Sequence, residues 1–90
     1  MKSVVIIPTY NEIENIKNII IAVLSKKDNF DVLIVDDQSP DGTAQVVKEL
    51  MNGYENRLHI MERKGKNGLG TAYLDGFKWA IKNKYDFIFE

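Results

Sequence analysis

Apolar residues along this chain follow two spacings. Four short runs, Ser3 to Ile7, Val32 to Val35, Arg57 to Glu62 and Tyr85 to Phe89, carry the β-branched and aromatic residues that strands favour. The first two are apolar almost throughout, as strands buried on both faces are. Arg57 to Glu62 alternates imperfectly and reads as a peripheral strand, with His59 as a strand surface residue. Pro8 is expected to end the first strand, since proline lacks the donor a ladder needs.

Between the strands the period changes to that of a helix. Ile13, Ile16, Ile20, Val23 and Leu24 form one stripe, with Ile19 and Ile21 widening it. Ala44, Val47, Leu50 and Met51 form a second, and Ala72, Tyr73, Gly76, Phe77, Ala80 and Ile81 a third. Local signals place the helix starts near Asn11, Ser39 and Gly68. Asn11 with Glu14 resembles a capping box, and Ser39-Pro40 an N-cap followed by proline at the first helical position. Asp28-Asn29 marks the end of the first helix. Gly53 is expected to end the second in a left-handed conformation. Gly76 lies within the apolar stripe, where a missing side chain would let the helix approach a sheet closely.

The resulting order, β-α-β-α-β-α-β, predicts an α/β, Rossmann-like parallel sheet with flanking helices, formed as one domain over residues 1–90. Loops that follow parallel strands gather at the carboxyl edge of the sheet, where open α/β folds place their ligands. Three such loops stand out. The first is Pro8 to Glu12, the second Asp36-Asp37-Gln38-Ser39-Pro40-Asp41-Gly42-Thr43, and the third the basic, glycine-rich Lys64 to Thr71. Two adjacent carboxylates at a strand end are poorly explained by packing, because they repel one another and resist desolvation. The plainer alternative has one acid capping the next helix and the other solvated. Tyr10 offers an aromatic face, Glu12 and Asp37 acceptors for ring N–H groups or ribose hydroxyls, and Lys64 and Lys66 charges that would suit a phosphate. Those lysines fit a solvated loop equally well.

Composition narrows the classes. With 44% apolar and 28% charged residues the chain is an ordinary globular one. A net charge of −1 argues against broad electrostatic binding to nucleic acid. No cysteine is present, which excludes disulfides and thiolate metal sites. No stretch approaches the roughly 20 apolar residues that span a bilayer. No G-x-G-x-x-G follows the first strand, and the glycine-rich loop lacks the G-x-x-x-x-G-K-[ST] order of a P-loop.

Three motifs carry a family resemblance. Val5-Ile6-Ile7-Pro8-Thr9-Tyr10-Asn11-Glu12, Ile34 to Thr43 and Gly68-Leu69-Gly70-Thr71-Ala72-Tyr73 resemble the inverting family 2 glycosyltransferases. Within these they resemble the dolichyl-phosphate (polyprenyl-phosphate) mannosyltransferase branch. Gln38 stands where that family usually has glycine, a change of little consequence if the turn needs no positive φ. The resemblance implies the nucleotide-binding half of a GT-A fold with strand order 3-2-1-4. It implies a substrate-binding set of Pro8, Tyr10 and Glu12 around the nucleoside, Val35 at the base pocket, and Asp36 and Asp37, with Asp37 bonding the base.

The expected donor is a nucleotide sugar, GDP-mannose in preference to a UDP-sugar, and the expected acceptor a polyprenyl phosphate. A polysaccharide or protein acceptor, or a noncatalytic nucleotide-binding module, are the alternatives. The implied Mg or Mn would be held by an Asp-x-Asp expected after the fourth strand, beyond Glu90. No catalytic or metal-ligating residue is therefore assigned here, and the chain alone is expected to be inactive. The implied location is cytoplasmic, at the cytoplasmic face of a membrane for the full-length enzyme. Apolar faces left uncovered would promote self-association of the 90-residue chain.

Overall fold

The computed structural model describes residues 2–26, 30–64 and 69–90. Its elements are β1 (Ser3–Thr9), α1 (Ile16–Leu24), β2 (Phe30–Asp36), α2 (Thr43–Met51), β3 (Leu58–Glu62), α3 (Leu69–Lys82) and β4 (Phe87–Phe89). All strand pairs are parallel and the sheet order is β3-β2-β1-β4, as expected. The chain builds outward from β1 to β3, then returns to the other side of β1. That reversal is the switch point beside which open sheets form their crevice.

Alternation along the strands divides the core into two layers. Val32, Ile34 and Leu58 meet Ile16, Ile20 and Leu24 of α1 and Val47 of α2 on one face. Val4, Ile6, Leu33 and Val35 meet Ala72 and Ala80 of α3 on the other. Ala72, Gly76 and Ala80 recur every four residues, so α3 presents its smallest side chains to the sheet. A Cβ at Gly76 would fall 2.7 Å from Ile6 Cγ2, which confirms the close approach expected at this glycine.

Several boundaries differ from the sequence expectation, each for a local reason. β1 runs through Pro8 to Thr9, with Pro8 in register with Val35. Because Thr9 accepts from Asp37 on the β2 side, the nitrogen of Pro8 points the opposite way, and β4 pairs only with Ser3 to Val5. The missing donor therefore interrupts no ladder. α1 starts at Ile16, not at Asn11, because Asn11 adopts a φ of 56° and its amide is taken by Ser39 Oγ at 2.9 Å. α2 starts at Thr43, not at Ser39, because Ser39 is turned back onto Asp36.

Gly53 lies outside the positive-φ residues; the left-handed residue leading to β3 is Asn56, at φ 66°. Tyr85 precedes β4 instead of starting it, and its hydroxyl donates to Asp31 Oδ2 at 2.6 Å. The expected helix end at Asp28-Asn29 and the glycine-rich stretch from Gly65 to Gly68 lie outside the described residues. His59 is half-buried on β3, its ring 5.1 Å from that of Trp79, so it is a packing residue of the α3 layer.

Candidate nucleotide site at the carboxyl edge

The edge is built on Asp36, the last residue of β2. It is fully buried, which for a carboxylate is tolerable only if its oxygens are hydrogen-bonded. Thr9 Oγ1 donates to Oδ1 at 2.6 Å, Ser39 Oγ to the same oxygen at 2.7 Å, and the Ser39 amide to Oδ2 at 2.9 Å. Asp36 thus closes the turn after β2 and joins it to the end of β1. In register it pairs with Thr9 on one side and Glu62 on the other, which centres it in the sheet.

Asp37 continues the same backbone path, its amide donating to the Thr9 carbonyl at 3.1 Å. Its carboxylate meets Arg63 in a two-pronged ion pair, Nε to Oδ1 at 2.5 Å and Nη2 to Oδ2 at 2.8 Å. Only 6% of the Arg63 side chain and 11% of the Asp37 side chain are exposed. Arg63 Nη1 also donates to Thr71 Oγ1 at 3.0 Å and to Asp75 Oδ2 at 3.1 Å. Hydrogen bonds to Asp37 hold the guanidinium still further above its ordinary value, opposed by burial and reinforced by Asp75. A pair this enclosed depends on its own geometry, since removing one member strands the other charge.

The loop after β1 is fixed by the loop after β2. Three consecutive amides, those of Asn11, Glu12 and Ile13, donate to Ser39 Oγ, Thr43 Oγ1 and Asp41 Oδ2 at 2.9, 3.1 and 3.1 Å. Asp41 Oδ1 meanwhile accepts from the Thr43 amide at 3.0 Å and the Thr43 hydroxyl at 2.5 Å. Burial alone would raise the Asp41 carboxyl; the bonds from Thr43 and from the Ile13 amide outweigh it and leave it below the usual aspartate range. Gly42 has φ 90° as the residue before α2. Gln38 has φ 56°, so the turn does require a positive φ at the position where the family usually has glycine.

The residues singled out from sequence therefore occupy distinct settings. Tyr10 is exposed, while Pro8 and Glu12 are half-buried along the same segment. Asp36 is enclosed, Asp37 borders the surface, and the side chain of Val35 lies in the α3 layer of the core. Val35 is wholly buried between its partners Pro8 and Met61, so it stands behind the edge and not at its surface. Arg63 and Asp41 carry the site's geometry without having been singled out. The signal for Arg63 was positional: it follows β3 as Asp37 follows β2, and Asp36 and Glu62 are in register. Among the described residues, no group of three or more His, Cys, Asp or Glu side chains converges as a metal cage.

Comparison with known proteins gives a consistent result. The chain is 44% identical over 89 residues to polyprenol monophosphomannose synthase of Mycolicibacterium smegmatis, covering 99% of this chain and 34% of that protein. It is 39% identical over 90 residues to undecaprenyl-phosphate mannosyltransferase of Micrococcus luteus, covering 37% of its length. The chain thus spans about a third of the length of the curated relatives it matches.

Among solved structures it resembles a mannosyltransferase from Pyrobaculum calidifontis in complex with GDP-Man and Mn2+. There the TM-score is 0.74 at 28% identity, over 88% of this chain and 24% of that one. It also resembles S. aureus TarS in complex with UDP-GlcNAc, with a TM-score of 0.70 at 32% identity, over 98% of this chain and 25% of that one. Residues 4–88 match the model of glycosyl transferase family 2, and the chain belongs to that family.

Proposed function

We propose that residues 1–90 are the nucleotide-binding part of a glycosyltransferase that at full length moves mannose from GDP-mannose to a polyprenyl or dolichyl phosphate. The observation that carries this reading is the fixed carboxylate of Asp37 at the carboxyl end of β2, bonded through its backbone to the strand that leads into Tyr10 and Glu12. Asp37 accepts a ring N–H of the base, the Tyr10 ring packs on the nucleoside, and Glu12 accepts from the ribose or base. Pro8 borders the same pocket and Val35 backs it from the core. Asp36 braces Thr9 and Ser39 beneath it. Mannose and the prenyl phosphate acceptor are supported by the names of the two relatives. The UDP-GlcNAc-bound neighbour supports a UDP-sugar as the second donor to test.

Magnesium or manganese belongs to this reading of the whole enzyme, supported by the Mn2+ in the mannosyltransferase neighbour. The residues described here do not fit its cage. Both oxygens of Asp36 are occupied, the Asp37 carboxylate is already paired with a guanidinium, and among the described residues no group of three carboxylate or imidazole side chains converges there. The cation's ligands are assigned to an Asp-x-Asp following β4, outside these residues. No helix among the described residues is long and apolar enough to cross a membrane. In this reading the lipid phosphate acceptor supports a working enzyme at a membrane surface, and the nucleotide-sugar donor supports the cytoplasmic face. Phe87 and Phe89, each 46% exposed, favour self-association of the 90-residue chain.

Calorimetry with GDP and UDP, with and without Mg or Mn, tests the reading. GDP is expected to bind more tightly than UDP, with little metal dependence in this chain. Asp37→Ala is expected to weaken GDP binding by about 1–3 kcal/mol, the range for a charge-assisted hydrogen bond. A strong metal requirement, or equal affinity of the Asp37→Ala protein, would contradict it.

A further inference from the structure

We propose that Arg63 is the positioning residue of this site, deciding which acceptor lone pairs of Asp37 are available to a base. The proposal rests on the nucleotide-binding reading and goes one residue deeper into it. A carboxylate has about four lone-pair sites, two on each oxygen. The fork of Nε and Nη2 takes one from each oxygen of Asp37 and fixes the plane of the group. The two left over lie in the same plane but point to opposite flanks of the carboxylate, so a ligand on one flank meets a single, fixed acceptor. Such an acceptor suits a base that presents an in-plane N–H donor. Asp37 without its partner would rotate and hydrate, and the same acceptors would be presented in many directions.

Arg63 is itself held in place from a third element. Its Nη1 bonds Thr71 and Asp75, which lie four apart and hence on one side of α3. Its backbone amide donates to the Asp36 carbonyl at 2.8 Å, extending the β2–β3 ladder by one residue. The side chain is only 6% exposed, so it acts through Asp37 and not by touching a ligand. Lysine could keep the charge but not the fork, because an ammonium is a point charge without a planar pair of donors. Asp37 and Asp75 also share this one guanidinium, but Asp75 is 43% exposed, so its loss strands chiefly the enclosed Asp37 carboxylate without its cation.

The test is a double-mutant cycle in GDP affinity on the 90-residue chain, read by calorimetry, with Arg63→Met, Arg63→Lys, Asp37→Ala and the Asp37→Ala/Arg63→Met pair. Arg63→Met is expected to weaken GDP binding about tenfold, with partial recovery in Arg63→Lys, as coupled neighbours do. In the Asp37→Ala background the same Met substitution is expected to change affinity less than twofold. A general structural role would instead lower affinity by the same factor in both backgrounds, and that result overturns the proposal. So does unchanged GDP affinity in Arg63→Met. If Arg63→Met fails to fold, Arg63→Lys is compared in the two backgrounds with the same criterion. Loss of affinity in Asp37→Ala with none in either Arg63 variant would sink this inference while leaving the nucleotide site standing. Absence of GDP binding by the unsubstituted chain would sink both.

Discussion

Asp41 and Ile13 lie on different loops, and Asp41 Oδ2 accepts the Ile13 amide at 3.1 Å while its other oxygen serves Thr43. One short side chain therefore caps the start of α2 and holds the loop that carries Tyr10 and Glu12. Those bonds are made to the ionised form, which is why the Asp41 carboxyl stays below the ordinary value of 3.8 despite the opposing effect of burial. A group lowered on folding contributes stability that is fully present above 3.8 and disappears as pH falls through its lower folded value. Asp41→Asn is expected to flatten the acid side of the melting-temperature profile below about pH 4. An unchanged profile would contradict this role.

Gln38 occupies a left-handed conformation without being glycine. Gln38→Gly is expected to stabilise the chain by about 0.5–1 kcal/mol, part of the left-handed penalty being offset by the greater freedom of glycine when unfolded. Thermal denaturation would register this as a rise of a few degrees. A fall would mean that the Gln38 side chain contributes more than its backbone strain costs.

Gly76 and Ile6 set how closely α3 lies on the sheet. Gly76→Ala is expected to destabilise the chain by about 1–3 kcal/mol despite alanine's better helix propensity, because the added Cβ overpacks a β-branched core residue. Chemical denaturation would measure it. The cost should shrink in an Ile6→Ala background, and an equal cost there would point to strain elsewhere.

Phe87 and Phe89 share one side of β4, and the ring of Phe89 meets that of Phe30 edge-on at 5.4 Å between centroids. Sedimentation of the 90-residue chain is expected to show mass rising with concentration. Phe87→Lys should reduce that association without lowering the melting temperature by more than a few degrees. A monomer at all concentrations would rule the patch out as an association surface.

The strands and their parallel direction were legible because runs such as Val32 to Val35 have no other comfortable setting than a sheet covered on both faces, whereas the order 3-2-1-4 came from the family resemblance. The acidic turn after β2 was legible for the same reason: Asp36 and Asp37 follow that run directly. The first two helix starts were not. The signals at Asn11 and Ser39 are real local preferences, but both residues are engaged by the opposite loop, and tertiary bonds moved the first helical turn by several residues. Pro8 was misplaced because its cost depends on which side of the strand its nitrogen faces, a property of register. Arg63 and Asp41 escaped notice for a related reason. The partners that give them their place in the site, Asp37 for Arg63 and Ile13 for Asp41, are 26 and 28 residues away, and only the paired strands bring them together.

The central claim is that the segments following β1 and β2 form one nucleotide site, and amide chemical-shift mapping tests it most directly. On titrating GDP into the isotopically labelled chain, the largest changes are expected at Tyr10 to Glu12 and at Asp36 to Gln38, with Arg63 and Thr71 following. His59 and Lys84 to Phe89 should stay unchanged. Shifts centred on β4, or none near Asp37 at saturating GDP, would contradict the account.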